Sequence, residues 1–330
     1  MLSSDAELAI PAGYTVRAPA EGDIPAILKV MADFDIARNG IAVALTADDL
    51  RGDWEDLDLA SDAWVVRARD GQAAAYATLT DEGSGHMLAD GYVHPAHWGR
   101  GLGTLLAQLT ERRAQAFIER APAGARVVLT NGTIATDDAA RRLFEGRGYT
   151  LARTFYRMGI TLDAPSPAPI WPAGISVREF VYERDARVVF ETVEEAFQDH
   201  WGHVPRVFEE WIARTNRPDF DPALWFLAYE GDAIAGVALC NRRPDMGWLN
   251  TLAVRRPWRQ RGLGTALLRY VLGTFYQQGQ PTIGLGVDGQ NLTGALKLYE
   301  DVGMHPTMRI ATYEKELRPG VDLSVRAIDA

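Results

Sequence analysis

Apolar and polar positions along the chain switch between two periods. Short runs at 14–17, 63–69, 73–80 and 127–130 suit strands, and Asp70-Gly71 between the second and third predicts a tight hairpin. Similar runs recur at 175–178, 224–229, 234–240, 249–254 and 282–287, with Glu230-Gly231-Asp232 as the second hairpin turn. Between strands the period lengthens. Leu267, Leu268, Val271, Leu272 and Phe275 share one face of a predicted helix. Leu292, Ala295, Leu296 and Tyr299 share a face of another, and Gly303 is placed to stop it. A final strand is expected to close each half.

The pattern is a repeat. Pro11-Ala12-Gly13-Tyr14 returns as Pro172-Ala173-Gly174-Ile175, Trp64 as Trp225, and Gly101-Leu102-Gly103-Thr104 as Gly262-Leu263-Gly264-Thr265. The differences 172 − 11, 225 − 64 and 262 − 101 are all 161. Further on, Leu143-Phe144-Glu145 and Gly148 match Leu298-Tyr299-Glu300 and Gly303 at 298 − 143 = 155. A shared register over so long a stretch marks a tandem duplication of domain-sized units. The seam, Asp163-Ala164-Pro165-Ser166-Pro167-Ala168-Pro169, suits an extended linker. The expected division is therefore 1–162, a linker at 163–173, 174–317, and a tail at 318–330.

In each half a glycine turn stands between a strand and a helix. In the second it reads Arg259-Gln260-Arg261-Gly262-Leu263-Gly264-Thr265. Such a turn can aim main-chain N–H groups and the positive helix end at an anion, with Arg259 and Arg261 adding charge, and a pyrophosphate suits it. A P-loop would need a lysine after the glycines, and a dinucleotide fingerprint a third glycine where Leu267 stands. Gly284-Leu285-Gly286-Val287-Asp288-Gly289 has the letters of that fingerprint but falls in and after a predicted strand, so it reads as a glycine-rich strand end.

Composition narrows the classes. The 330 residues carry a formal net charge of −10, which argues against sequence-independent nucleic-acid binding and against a polybasic membrane anchor. No apolar run approaches a spanning helix, and Met1-Leu2-Ser3-Ser4-Asp5 lacks the features of a signal peptide. The single cysteine, Cys240, allows no intramolecular disulfide and reads as a small buried apolar residue. A cytoplasmic protein, monomer or homodimer, is expected. No His, Cys and carboxylate set has metal-ligand spacing, so no metal is expected.

Arg-x-x-Gly-x-Gly between strand and helix, in the element order β-α-β-β-β-α-β-α-β, resembles the acetyl-coenzyme A site of the GNAT superfamily of N-acetyltransferases. The likeness covers nearly the whole chain, twice. It implies two tandem GNAT folds of the α/β class, each a mixed sheet with helices on both faces. It also implies acetyl-CoA as acyl donor and an amine as acceptor. By the same resemblance, strand 249–254 splays from strand 282–287. The pantetheine arm then lies along Leu252, Ala253 and Val254, and a backbone N–H at Leu252 or Ala253 meets the thioester carbonyl. Gln260 to Thr265 hold the pyrophosphate, Asn291 and Leu298 meet the cofactor arm, and Tyr299 lies near the sulfur, where a phenol can protonate the leaving thiolate. Asn291 as a helix cap and Tyr299 as a core aromatic are the plainer alternatives.

The first copy departs from this pattern. Trp98 stands for Arg259, Phe144 for Tyr299 and Thr136 for Asn291, while Val93, Gly99, Arg100, Gly101, Leu102, Gly103 and Thr104 keep a second cradle. Phenylalanine has no proton to give, so the first domain is expected to be non-catalytic. Asp90 and Tyr92 are its remaining reactive side chains. On the acceptor side, Asp199, His200 and Trp201 are candidates for gripping an amine, and Asp245, Glu194, Glu195 and His203 are further candidates for the base. The function expected is acetyl transfer to a primary amine of a small molecule. The competing reading is a sensor or scaffold that binds acyl-CoA without turnover.

Overall fold

The computed structural model describes residues 8–324, apart from 41, 43, 44, 56, 199, 204, 214, 216–219, 292 and 293. The first repeat runs β1 (Tyr14–Arg17), α1 (Ile24–Asn39), α2 (Ala47–Trp54), α3 (Leu59–Asp62), β2 (Ala63–Ala68), β3 (Ala73–Gly83), β4 (His86–Val93), α4 (Leu102–Ile118), β5 (Val127–Ile134), α5 (Asp138–Gly146) and β6 (Thr150–Thr161). The second runs β7 (Ile175–Glu179), α6 (Tyr182–Phe197), α7 (Phe208–Ala213), β8 (Trp225–Glu230), β9 (Ala233–Arg242), β10 (Gly247–Val254), α8 (Leu263–Gln277), β11 (Thr282–Asp288), α9 (Ala295–Asp301) and β12 (His305–Arg318). The mixed α/β class and the order of elements are those the sequence predicts.

The compact units are not the two halves of the chain. One comprises Met1–Thr154 with Arg309–Leu323; the other comprises Phe155–Met308 with Ser324–Ala330. In the first unit the strand order is β1-β2-β3-β4-β5-β12, and in the second β7-β8-β9-β10-β11-β6. Ile310 to Arg318 of β12 run antiparallel to Ile134 to Val127 of β5. Phe155 to Thr161 of β6 run antiparallel to Asp288 to Thr282 of β11. Each repeat thus lends its last strand to the other repeat's sheet. The sequence expectation that a final strand closes its own copy is corrected here. Duplicated sheets present near-identical open edges, and a strand pattern alone does not say which edge it fills.

In the second unit, α8 buries Leu267, Leu268, Val271, Leu272 and Phe275, as its periodicity predicts. They pack with Leu249, Ile283, Leu285, Val287 and Met158 on one sheet face. The opposite face carries α6, whose Ala186, Val189, Val193 and Ala196 meet Leu227, Val237, Leu239 and Ala253. Gly247 brings α8 close, since a Cβ there would lie 2.7 Å from the Phe275 ring. Cys240 is buried in this core, and burial pushes its thiol up, away from reactivity.

The expected tail is fastened as far as it is described. Arg318 donates to the carbonyls of Ala125, Ile118 and Pro122. Val321 exchanges backbone bonds of 2.8 Å with Gly124 and Arg126.

Both repeats use one staple. Arg17 grips Asp23 with two bonds of 2.7 Å, and Arg67 joins it. Arg178 grips Asp185 at 2.6 and 2.8 Å. The Arg17 and Arg67 bonds hold the Asp23 carboxyl well below its usual range. For Asp185, burial acts upward, but the bonds from Arg178, Arg184 and the Val181 N–H outweigh it and the net direction is down. A depressed carboxyl contributes stability that is present above the unfolded pKa and lost as pH falls towards the folded one. Urea midpoints should therefore drop steeply below about pH 4. In Asp185→Asn the drop should be shallower; an equal slope in the variant and the parent would remove this staple from the account.

Candidate active site

In the second unit, β10 and β11 pair in parallel only at Gly247–Ile283, Trp248–Gly284 and Leu249–Leu285. Beyond Leu285 the strands part, so one edge of 251–254 meets no strand among the described residues. Against β9, the register of β10 slips between Leu249 and Thr251, leaving Asn250 as the extra residue of a bulge. Its side chain is held by Asn241 at 3.1 Å. Bulge and parting coincide, which turns the end of β10 away from its neighbour.

The glycine turn follows at the open end of β10. Gly262 has φ +82° and caps α8, and Gln260 takes φ +59°. The first intrahelical bond comes from the Ala266 N–H to Gly262 O at 3.0 Å, so the N–H groups of Leu263, Gly264 and Thr265 are the helix's orphan donors. A left-handed glycine ahead of three such donors suits the pyrophosphate of acetyl-CoA. Gly264 has another duty. A Cβ there would lie 2.9 Å from Leu298 Cδ1. Its absence lets α9 dock on the first turn of α8, and α9 carries Tyr299.

The two arginines of the turn are largely committed. Arg259 Nε donates to Val254 O at 3.0 Å and Nη2 to Ala196 O at 3.3 Å. Arg261 pairs with Glu230 at 2.9 Å, and Glu230 also accepts from Trp258 Nε1 at 2.9 Å. These two bonds hold the Glu230 carboxyl below its usual range. Arg259 keeps its charge, since its partners are neutral carbonyls, while Glu230 offsets that of Arg261; both side chains also shape the loop.

Tyr299 is 8 % exposed within the α8 core. Burial pushes its phenol up to about 12. Its hydroxyl makes no hydrogen bond among the described residues. Asn291 follows β11 in a turn closed by its N–H to Asp288 O at 3.1 Å. The cap of α9 is Gly294, so Asn291 is not that cap.

The acceptor-side candidates scatter. Asp199 lies outside the described residues. His200 stacks on Phe197 at 4.3 Å, and Trp201 packs on Phe155 of β6 at 6.1 Å, which brings this loop over the sheet face that α6 covers. Glu194 pairs with His203 at 3.3 Å and Glu195 with Arg255 at 2.7 Å. Asp245 sits in the turn between β9 and β10, at the closed end of the strand pair. It is seven residues from Leu252, about 20 Å along a strand, so the structure does not bring it to the parting. Sequence reasoning missed Phe155 and Arg157, because β6 belongs to the first repeat and its place beside β11 has no sequence signal.

In the first unit, β4 and β5 also part, after Ala89–Asn131. Gly99 and Gly101 keep positive φ, and Gly101 caps α4. Trp98 Nε1 donates to Val93 O at 2.7 Å, the same bond that Arg259 makes to Val254. The exchange of arginine for tryptophan thus preserves the loop. Arg38 stacks on Trp98 at 3.9 Å and its Nε lies 2.9 Å from Asp137 Oδ2, so these side chains link the end of β4 to the segment after β5. Tyr92 packs edge-on against Phe34, and Asp90 lies near the carboxylates of Asp35 and Asp53. Phe144, in the position of Tyr299, packs against Tyr149 and Tyr313.

The parting strands, glycine turn and second helix, found twice, define an acyl-CoA-dependent N-acetyltransferase. Residues 32–149 and 186–304 match the acetyltransferase (GNAT) family model, and the chain belongs to that family. It is 32 % identical to the mycothiol acetyltransferase of Thermobispora bispora over 236 residues, covering 69 % of this chain and 75 % of the relative. It is 34 % identical to that of Kineococcus radiotolerans over 247 residues, covering 72 % and 77 %. Among solved structures, a GCN5-related N-acetyltransferase from Sphaerobacter thermophilus superposes with TM-score 0.85 at 41 % identity, over 97 % of this chain and 100 % of the other. A tandem GNAT protein from the clavulanic acid biosynthesis pathway shares the fold, with TM-score 0.70 at 17 % identity over 93 % and 99 %. The tandem arrangement resembles mycothiol synthase, and acetyl-CoA is the acyl donor. Among the described residues no helix is long and apolar enough to cross a membrane, and no His, Cys, Asp and Glu group suits a metal.

Proposed function

We propose that the second unit catalyses transfer of acetyl from acetyl-CoA directly to a primary amine of a small molecule, and that the first unit is not catalytic. The observation that carries this is that α9, docked on the glycine turn through Leu298 and Gly264, presents Tyr299, whereas α5, docked likewise through Leu143 and Gly103, presents a phenylalanine. The corresponding residue of the first unit, Phe144, has no hydroxyl and packs against Tyr149 and Tyr313. The names of the mycothiol acetyltransferase relatives support a small-molecule acceptor.

In this reading the N–H groups of Leu263 to Thr265 hold the pyrophosphate. The free edge of Leu252, Ala253 and Val254 aligns the pantetheine, and the Leu252 N–H stabilises charge developing on the carbonyl oxygen. Tyr299 gives its proton to the departing sulfur. Most of the rate comes from holding amine and thioester in register.

Thiol release from acetyl-CoA with a panel of small amines tests the reading. A β-branched residue at positive φ is strained by roughly 1–2 kcal/mol or more, so Gly262→Val should raise the KM for acetyl-CoA at least ~10-fold. Gly101→Val, at φ +81° in the first unit, strains its own turn equally but should change turnover less than about threefold. The reverse pattern would assign catalysis to the first unit. No thiol release with any amine would favour a sensor.

A further inference from the structure

Strand alternation sorts the side chains around the parting. β11 turns Ile283, Leu285 and Val287 into the core under α8, so Gly284, Gly286 and Asp288 face the other side, where α6 lies. β6 pairs Met158 with Leu285, Arg157 with Gly286 and Phe155 with Asp288, which puts Arg157 and Phe155 on the α6 side too. Since β10 stops pairing at Leu285, Gly286 is the first residue of β11 without a neighbour on that edge.

The result is a hollow. Among the described residues a Cβ built on Gly286 meets nothing within 4 Å, whereas one on Gly284 would lie 2.8 Å from the Trp248 ring. Trp248 forms one wall and Arg157 another, with Phe155 and Trp201 beyond. The Arg157 guanidinium lies 5.7 Å from the Trp248 centroid, and Arg243 lies over the same ring at 3.8 Å.

Arg157 is half-buried, and among the described residues its side chain has neither an ion pair nor a hydrogen bond. Asp288 lies on the same face. The other arginines of this unit near the turn are engaged: Arg255 with Glu195, Arg261 with Glu230. A guanidinium beside an aromatic ring, with its donors left open next to a bare glycine, is a receptor for a planar or tetrahedral anion.

We propose that Arg157 receives an anionic group of the acceptor, a carboxylate or a phosphate, so that the substrate is an amine carrying a negative charge at its far end. The proposal rests on the second unit being catalytic. Two strand spacings, about 10 Å, separate the backbones of Arg157 on β6 and Leu252 on β10, and the arginine side chain takes up part of that, so amine and anion should be about 5–8 Å apart. That is the span of an ω-amino acid with two to five methylenes, or of a short aminoalkyl phosphate.

The experiment measures thiol release from acetyl-CoA by the full-length protein. Acceptors are ω-amino acids of two to five methylenes, their neutral amides, and aminoalkyl phosphates of matching length. The expected kcat/KM is about 10- to 100-fold higher for an anionic acceptor than for its neutral partner, carried in the acceptor KM. The preferred anion tells carboxylate from phosphate. In Arg157→Gln this ratio should fall to about one, with the KM for acetyl-CoA unmoved, and Arg157→Lys should restore part of it. If neutral amines are preferred by the parent protein, or if Arg157→Gln lowers both acceptors equally together with Tm, the proposal is overturned while acetyl transfer stands. If no amine releases thiol, the catalytic reading itself fails and this one with it.

Discussion

Tyr299→Phe lowers kcat about 100-fold and leaves the KM for acetyl-CoA within about twofold, the loss expected for removing a general acid without disturbing the ground state. The fold should tolerate the change. The first repeat already carries phenylalanine at this position, and Phe144 packs there with ring centroids 5.5 and 5.6 Å from Tyr149 and Tyr313. Burial pushes the Tyr299 phenol up to about 12, so the acid form dominates throughout neutral pH. The ratio of parent to variant should therefore stay flat between about pH 6 and 9, because the proton is lost only well above that window. Steady-state thiol release across pH reads both quantities. An unchanged kcat would take Tyr299 out of the reaction. A ratio collapsing near pH 8 would mean that the phenol ionises far below the position burial assigns it.

Much of this site is legible in the residues alone, and the reasons are local. Gly262 needs φ > 0 to start α8, and a glycine between an apolar run and a helical stripe announces that need. The α8 stripe repeats at helical spacing because one face must be buried. Tyr299 is recognisable by its register with Phe144. What escapes is whatever depends on which backbone a side chain finds. Arg259 reads as charge beside the turn, and its ties to two carbonyls have no signal in the sequence; Trp98 reads as a lost arginine, yet its indole makes the equivalent bond. Asp245 is close to β10 in number, but strand direction places it at the end away from the parting. Arg157 is hidden for another reason. Its partner Gly286 is 129 residues away (286 − 157), in the other repeat, and only the exchange of β6 makes them neighbours.

A chain ending at Met308 should fail to fold, although every residue of the first repeat is intact. It would lose Ile310 to Arg318, which pair along the full length of β5. Ala311 and Tyr313 would leave the core that holds Leu79, Leu129, Phe144 and Tyr149. Lys315 would leave Glu111, and Glu314 would leave the half-buried Arg126 uncompensated. Removing a buried aromatic costs about 3–5 kcal/mol by itself, and the small apolar and paired groups lost with it add to that. Together these approach the whole stability of an ordinary domain, about 5–15 kcal/mol. The exposed edge of β5 would also invite aggregation. By the same logic, separately produced fragments 1–162 and 163–330 should each be insoluble, whereas co-production should yield a soluble, active pair, since each fragment brings the strand the other lacks. Hydrogen exchange gives the sharper reading. In the intact chain the amides of Val127–Ile134 should be among the slowest to exchange, and they should lose that protection in the truncated chain. Slow exchange in β5 without β12 would mean that the first repeat closes its own sheet and that the exchange of strands is not what holds the protein together.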